Sequence, residues 1–179
     1  MKRIKILDKE FKLCIPYERI KSAIEDMADK MNKELAGKNP LFICILNGSF
    51  MFAAELFKHI TLMETEITFA KLSSYDGVKT TGNVKQLIGL NNNIEDRTVV
   101  VLEDIIDTGI TIDYIVEQLT SKQPSEIIIA TLLFKPDALV KNVQPNYVGI
   151  EISDDFIVGF GLDYNNYGRN LRDIYSAIN

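Results

Sequence analysis

Two cysteines, one histidine and no block of basic residues set the first limits on this 179-residue chain. Cys14 and Cys44 stand far apart in apolar surroundings, and no CxxC or Cys/His cluster is present, which argues against structural zinc and against a disulfide framework. Reduced core thiols are the plainer reading, and they fit a cytoplasmic location. The lone His59 falls near a helix end without an evident metal-ligand partner, so it is read as an ordinary side chain. The formal net charge is -5, and nothing suggests a nucleic-acid surface. No membrane span is expected either: the most apolar region, 41–57, is interrupted by Asn47, Gly48 and Ser49. The opening MKRIKILDKEFKLCIP mixes charged with apolar residues and lacks a signal-peptide core. There is no internal repeat and no low-complexity linker. What is present is a globular composition, 46% hydrophobic, that suits one domain over 1–179 with a sizeable core.

Apolar spacing divides the chain into alternating elements. Residues 4–15 read as one or two short strands. Pro16 opens a helix whose inner face carries Ile20, Ile24, Met27, Met31 and Leu35, and Gly37 and Pro40 end it. LFICIL at 41–46 is the run expected of a strand buried on both faces. Ser49 is placed to cap the next helix, with Phe52, Ala53 and Leu56 inward. Strands are expected at 66–73, 84–90, 98–102, 126–134, 147–150 and 156–158, a helix through Ile112, Ile115, Val116 and Leu119, and a mobile polar loop at 73–83. Strands alternating with helices imply an α/β fold with a parallel-sheet core flanked by helices. Ligands of such sheets bind beyond the carboxyl ends of the strands. That rule places Asn47-Gly48-Ser49, the run 103–111 and Lys135-Pro136 at one rim.

The most informative stretch is VVVLEDIIDTGITI, 99–112. A strand that turns into a helix exposes unpaired amide groups. Small residues Thr108 and Gly109 let an anion approach those amides, and the hydroxyls of Thr108 and Thr111 add donors, which makes a monophosphate cradle. Walker A and GxGxxG patterns are both absent. Adjacent acids would repel a phosphate unless they meet hydroxyls or a cation. A ribose diol suits Glu103 and Asp104, ligand-bound Mg2+ would relieve the remaining repulsion, and Asp107 stands where it can handle a proton. Each acid taken alone reads as a solvated strand end favourable to the helix dipole; the whole run reads as a site for a sugar phosphate carrying a further anionic group.

This run resembles the PRPP-binding motif of type I phosphoribosyltransferases (PRPP, 5-phosphoribosyl diphosphate). LNGS at 46–49 is similar to the family's pyrophosphate loop, and SSYDG at 73–77 to the start of its catalytic loop. FKP at 134–136 and FIVGFGLDYNNYGR at 156–169 are similar to the purine-binding segments of the hypoxanthine (hypoxanthine-guanine) branch. The landmarks keep the family's order over most of the chain. The resemblance implies a small hood built from N- and C-terminal segments above the sheet, and purine salvage: transfer of phosphoribose from PRPP to hypoxanthine, and to guanine, with release of pyrophosphate. It implies that Glu103 and Asp104 hold the ribose hydroxyls with Mg2+ close by, and that Thr108, Gly109, Ile110 and Thr111 bind the 5′-phosphate. Asp107 would be the general acid/base near N7. Lys135 would donate to the 6-oxo group, Phe156 stack on the purine and Ile157 read its edge. Asp163 would border the base and help hold a second Mg2+. Asn47, Gly48 and Arg169 would contact pyrophosphate, and Ser74 and Tyr75 close over the centre. A homodimer or homotetramer is implied, with no nucleic-acid or membrane partner.

Each of these residues has a plain alternative: Lys135 a surface lysine, Phe156 core, Asp163 a turn residue, Arg169 a surface ion-pair partner, Tyr75 an idle aromatic. Asn47 stands where many relatives have lysine, Ile110 where some have lysine, and Gly168 where an aromatic can occur. A transferase preferring xanthine or guanine, and a PRPP-binding regulatory protein, remain open from the sequence.

Overall fold

A computed structural model describes residues 2–74, 84–88 and 92–178, with backbone alone at 72–74 and 84–88. The first two strands, β1 (Arg3–Ile6) and β2 (Lys9–Ile15), form a hairpin. Helix α1 (Tyr17–Glu34) buries Ile20, Ile24, Met27, Ala28 and Met31 along one face. There follow β3 (Leu41–Leu46), α2 (Phe50–Phe57), β4 (Glu66–Ser74), β5 (Val84–Ile88), β6 (Thr98–Ile106), α3 (Ile110–Thr120), β7 (Glu126–Phe134), β8 (Tyr147–Glu151), β9 (Ile157–Val158) and β10 (Ile174–Ala177).

The larger sheet has the order β5-β4-β3-β6-β7-β8. β4, β3, β6, β7 and β8 are mutually parallel, and β5 runs antiparallel at the edge. Alternation in the buried strands splits the core in two. Phe42, Cys44, Val100 and Leu102 pack with α1 and α2. Leu41, Ile43, Ile45, Val99 and Val101 pack with α3 through Ile112, Ile115 and Leu119. The chain leaves β3 toward β4 and later returns to β6 on β3's other side. The gap between the carboxyl ends of β3 and β6 is therefore the sheet's switch point.

The smaller sheet, β1-β2-β10-β9, is antiparallel and joins the two ends of the chain. Phe11, Val158 and Tyr175 form its core. This is the expected hood. It is tied to the main body by Asp173, whose carboxylate accepts from the Tyr17 amide at 3.0 Å and from Lys2 Nζ at 2.9 Å. An amide at the start of α1 is thus capped by a residue from the far end of the chain.

Four expectations are corrected. β6 does not stop at Leu102 but continues to Ile106, because the backbone beyond Glu103 keeps pairing with Thr131, Leu133 and Phe134 of β7. Strand 174–177 is an addition: its four residues become a strand by pairing with β2 and β9. Ser49 does not cap α2. Its buried hydroxyl donates back to the Ile45 carbonyl and lies 3.0 Å from Cys44 Sγ. Of the two thiols only Cys44 is core, with burial pushing it up to about 11; Cys14 falls on the outward phase of β2 and is exposed.

Phe42 is fully buried and meets the Phe57 ring edge-on at 5.0 Å between centroids. Phe42→Ala should destabilise the chain by about 3–5 kcal/mol, read as a lower urea midpoint; a change under about 1 kcal/mol would remove this contact from the core's support.

Candidate active site

The site assembles at the switch point. Strand β6 carries Glu103 and Asp104 to the rim, and the chain then turns through Asp107, Thr108 and Gly109 into α3. Gly109 makes that turn with φ +79, a left-handed conformation that glycine takes at little cost. A side chain there would press on Leu139 and Val143, from the segment that backs the turn. That segment is held by the amides of Val140 and Lys141, which both donate to the Thr108 carbonyl at 3.0 and 3.2 Å. Glu103, Asp104, Asp107, Thr108, Gly109 and Thr111 together line a pocket of about 230 Å³. Thr108, Ile110 and Thr111 are exposed at its mouth. A larger cleft, about 720 Å³, lies between α1 and β8 and contains none of the candidate site residues.

The two acids differ in setting. Glu103 is buried, and its Oε2 has no hydrogen-bond partner among the described residues. Burial, with Asp104 adding to it, pushes the Glu103 carboxyl well above the usual carboxylate range. Asp104 is pushed up to about 6, mainly by burial, against backbone hydrogen bonds and the positive charge of Arg169. A buried acid without a counter-charge is costly. The cleft therefore suits a ligand that brings hydroxyl donors or a cation. Glu103 and Asp104 are oxygen donors of the kind magnesium takes, and among the described residues no group of three or more acids, histidines or cysteines converges to hold an ion.

Asn47 and Gly48 follow β3 across a cis Leu46–Asn47 peptide bond. Asn47 is exposed. Gly48 is wedged: a Cβ there would overlap the Asp104 carboxylate, and a Cβ on Gly161 would overlap the Gly48 carbonyl. The segment 159–168 coils through positive φ at Gly159, Phe160, Gly161, Asn165, Asn166 and Gly168. Gly168, flagged in the sequence as a departure, is explained by packing, since a side chain there would strike Val158 and Ile6 of the hood. Arg169 donates to the Gly161 carbonyl at 2.7 Å and pairs with Asp163 at 2.6 Å. Asp163 also accepts from the Asn166 amide at 2.7 Å. Asp163 is thus engaged by Arg169 and its own turn; its field still reaches Asp104.

Lys135, at the end of β7, is 6% exposed, and the surface-lysine alternative falls. Its Nζ lies 3.2 Å from Asp107 Oδ2 and 3.1 Å from Asp154 Oδ1. Phe156 is half-exposed and stands edge-on to Tyr164, centroids 5.8 Å apart, with Lys9 Nζ 5.3 Å from its ring centre. Ile157 is buried in β9. Ser74 ends β4 with only its backbone described, and Tyr75 lies outside the described residues. The sequence reading missed Asp154 and Gly161. Asp154 sits among acids in SDD with nothing local to mark its ion pair, whereas Gly161 in the GFG run gave a weak hint of close approach.

A sheet of this order, with acids and a helix start at its switch point, defines a parallel α/β domain that takes its ligand at the carboxyl rim. Comparison supplies the rest: residues 16–165 match the phosphoribosyl transferase domain, and the chain belongs to that family. It is 40% identical over 168 residues to the hypoxanthine-guanine phosphoribosyltransferase of Streptococcus thermophilus, with 93% of each chain covered. To the enzyme of the same description from Streptococcus mutans it is 41% identical over 173 residues, covering 92% of this chain and 96% of that one. The crystal structure of a hypoxanthine phosphoribosyltransferase from Staphylococcus aureus superposes with a TM-score of 0.88 at 35% identity, covering 93% of this chain and 91% of that one.

The raised acids have a sign. A carboxyl with a higher pKa in the folded chain binds its proton more tightly there. Between the ordinary value of 3.8 and about 6 for Asp104, the folded state holds more protons, so stability falls as pH rises through that window. Without divalent metal, the urea midpoint should be lower at about pH 7.5 than at about pH 5, and Asp104→Asn should flatten the difference. A midpoint that climbs over this interval would contradict the burial of the pair.

Proposed function

We infer that this chain is a purine-salvage enzyme that transfers the 5-phosphoribosyl group from PRPP to hypoxanthine, and to guanine, releasing pyrophosphate. The observation that carries it is the buried Lys135 ammonium beside Asp107 on the same rim as the Glu103–Asp104 pair. A donor for a 6-oxo group and a proton acceptor stand side by side, next to a sugar-phosphate pocket.

In this mechanism Glu103 and Asp104 accept hydrogen bonds from the ribose hydroxyls and fix the sugar. Amides and hydroxyls of 108–111 donate to the 5′-phosphate, so Ile110 serves through its backbone and needs no charge. Glu103 and Asp104 would hold magnesium, which would supply charge neutralisation for the departing diphosphate. The Asn47–Gly48 backbone and Arg169 donate to pyrophosphate as the bond to the sugar breaks. Lys135 holds the 6-oxo oxygen, Phe156 stacks on the ring, and the Ile157 backbone reads the far edge. Asp107 takes the proton from the purine as its nitrogen attacks. Asp163 keeps Arg169 oriented at the cleft through their ion pair; we assign it also to the base edge, where it would help hold a second magnesium. Ser74 and Tyr75 are assigned to exclude water from the activated sugar.

The whole span 1–179 acts as one domain in this reading. A homodimer or homotetramer in the cytoplasm, without nucleic-acid or lipid partners, is proposed with it. Among the described residues no helix is long and apolar enough to cross a membrane.

The test is turnover of purified protein with Mg2+, PRPP and each of hypoxanthine, guanine, xanthine and adenine. Nucleotide product from hypoxanthine and guanine is expected; product from adenine alone would reverse the assignment of Lys135. Asp107→Asn should lower kcat by about 100-fold or more while PRPP affinity stays within about threefold of wild type. Unchanged turnover would take Asp107 out of the chemistry.

A further inference from the structure

We propose that Asp154 is a positioning residue for base recognition: its carboxylate holds the buried Lys135 ammonium over the base pocket and, through that ion pair, pins the loop that carries Phe156. The proposal deepens the transferase reading above and rests on it.

Lys135 and Asp154 come from different elements. Lys135 immediately follows β7, and Asp154 lies in the connection from β8 to β9, two positions before Phe156. The 3.1 Å contact between Nζ and Asp154 Oδ1 therefore bridges the main sheet and the segment entering the hood. An ammonium has three N–H donors. Asp107 Oδ2, at 3.2 Å, and Asp154 Oδ1 take two of them, and the third is left for the oxygen of an incoming base.

The two carboxylates are not equivalent. Asp107 must turn to the purine to accept its proton, so it cannot remain the full-time counter-ion of Lys135. The Lys135 side chain is 7% exposed, and a buried cation is costly without an opposite charge. Asp154 makes no other contact that the reaction requires, and it can keep that charge in place throughout. Without it, Lys135 has Asp107 alone, which draws the ammonium toward the proton acceptor and away from the base oxygen. The neighbouring Asp155 supplies a control. Its carboxylate accepts from the Ser153 hydroxyl at 3.0 Å, within its own turn.

Asp154 is 71% exposed, so its substitution should leave the fold intact, to be checked by the thermal midpoint. Steady-state kinetics on full-length protein, varying hypoxanthine and PRPP separately, read the effect. Asp154→Ala and Asp154→Asn should each raise KM for hypoxanthine by about tenfold, the loss expected for a charge-assisted hydrogen bond. KM for PRPP should stay at the wild-type value. Asp154→Glu should recover part of the loss, and Asp155→Ala should behave as wild type. If Asp154→Ala keeps the wild-type KM for hypoxanthine, or raises both KM values alike, the proposal is overturned. If Asp154→Asn matches wild type, the charge is not what positions Lys135 and the proposal is again overturned. A wild-type protein that converts no 6-oxopurine overturns the transferase reading and this proposal together, which separates the two failures.

Discussion

At the switch point of a parallel sheet a buried carboxylate, Glu103, stands beside a half-buried one, Asp104, and most of the site can be understood as a response to that. Glu103 has one oxygen without a partner among the described residues, and Asp104 is pushed up to about 6. Such a pair is unfavourable without an opposite charge or a hydrogen-bond donor beside it. It persists because β6 is anchored on both sides, by β3 through residues 41–44 and by β7 through residue 134. The extension of β6 past Leu102 is part of this: backbone pairing with β7 keeps the acids on a rigid strand rather than on a loop.

Close backbone packing shapes the loop that follows β3. Gly48 fits between the Asp104 carboxylate and Gly161, and Arg169 holds the Gly161 carbonyl while paired with Asp163. Asn47 brings no charge to this loop. Ser49 braces the loop from beneath by donating to Ile45. The hood meets this region through Gly168, which is small because Val158 and Ile6 occupy the space beside it.

A second cluster on the same carboxyl rim gathers around Lys135. β7 presents Lys135, β6 presents Asp107, and the β8–β9 connection presents Asp154 and Phe156. Three segments distant in sequence share one buried ammonium. The hood's own sheet, which pairs the first strands with the last, sets where Phe156 stands relative to that charge.

Local pattern was enough for the main sheet, its helices and the run 103–111. The unbroken apolar run LFICIL, helical spacing from Ile20 to Leu35, and a strand–acid–Thr-Gly order each act over a few residues, where propensity and periodicity operate. Glu103, Asp104 and the 108–111 turn were legible for that reason. Strand 174–177 was not, since IYSA becomes a strand only by pairing with residues from the chain's beginning. Nor were the exposure of Cys14, the donation of Ser49 back to Ile45, or the Lys135–Asp154 ion pair. Those depend on which face, which neighbour and which charge arrive from far along the chain. Sequence determines what each segment is inclined to form; only packing decides which buried charges meet, because Coulomb and desolvation energies depend on distance in space and not on separation along the backbone.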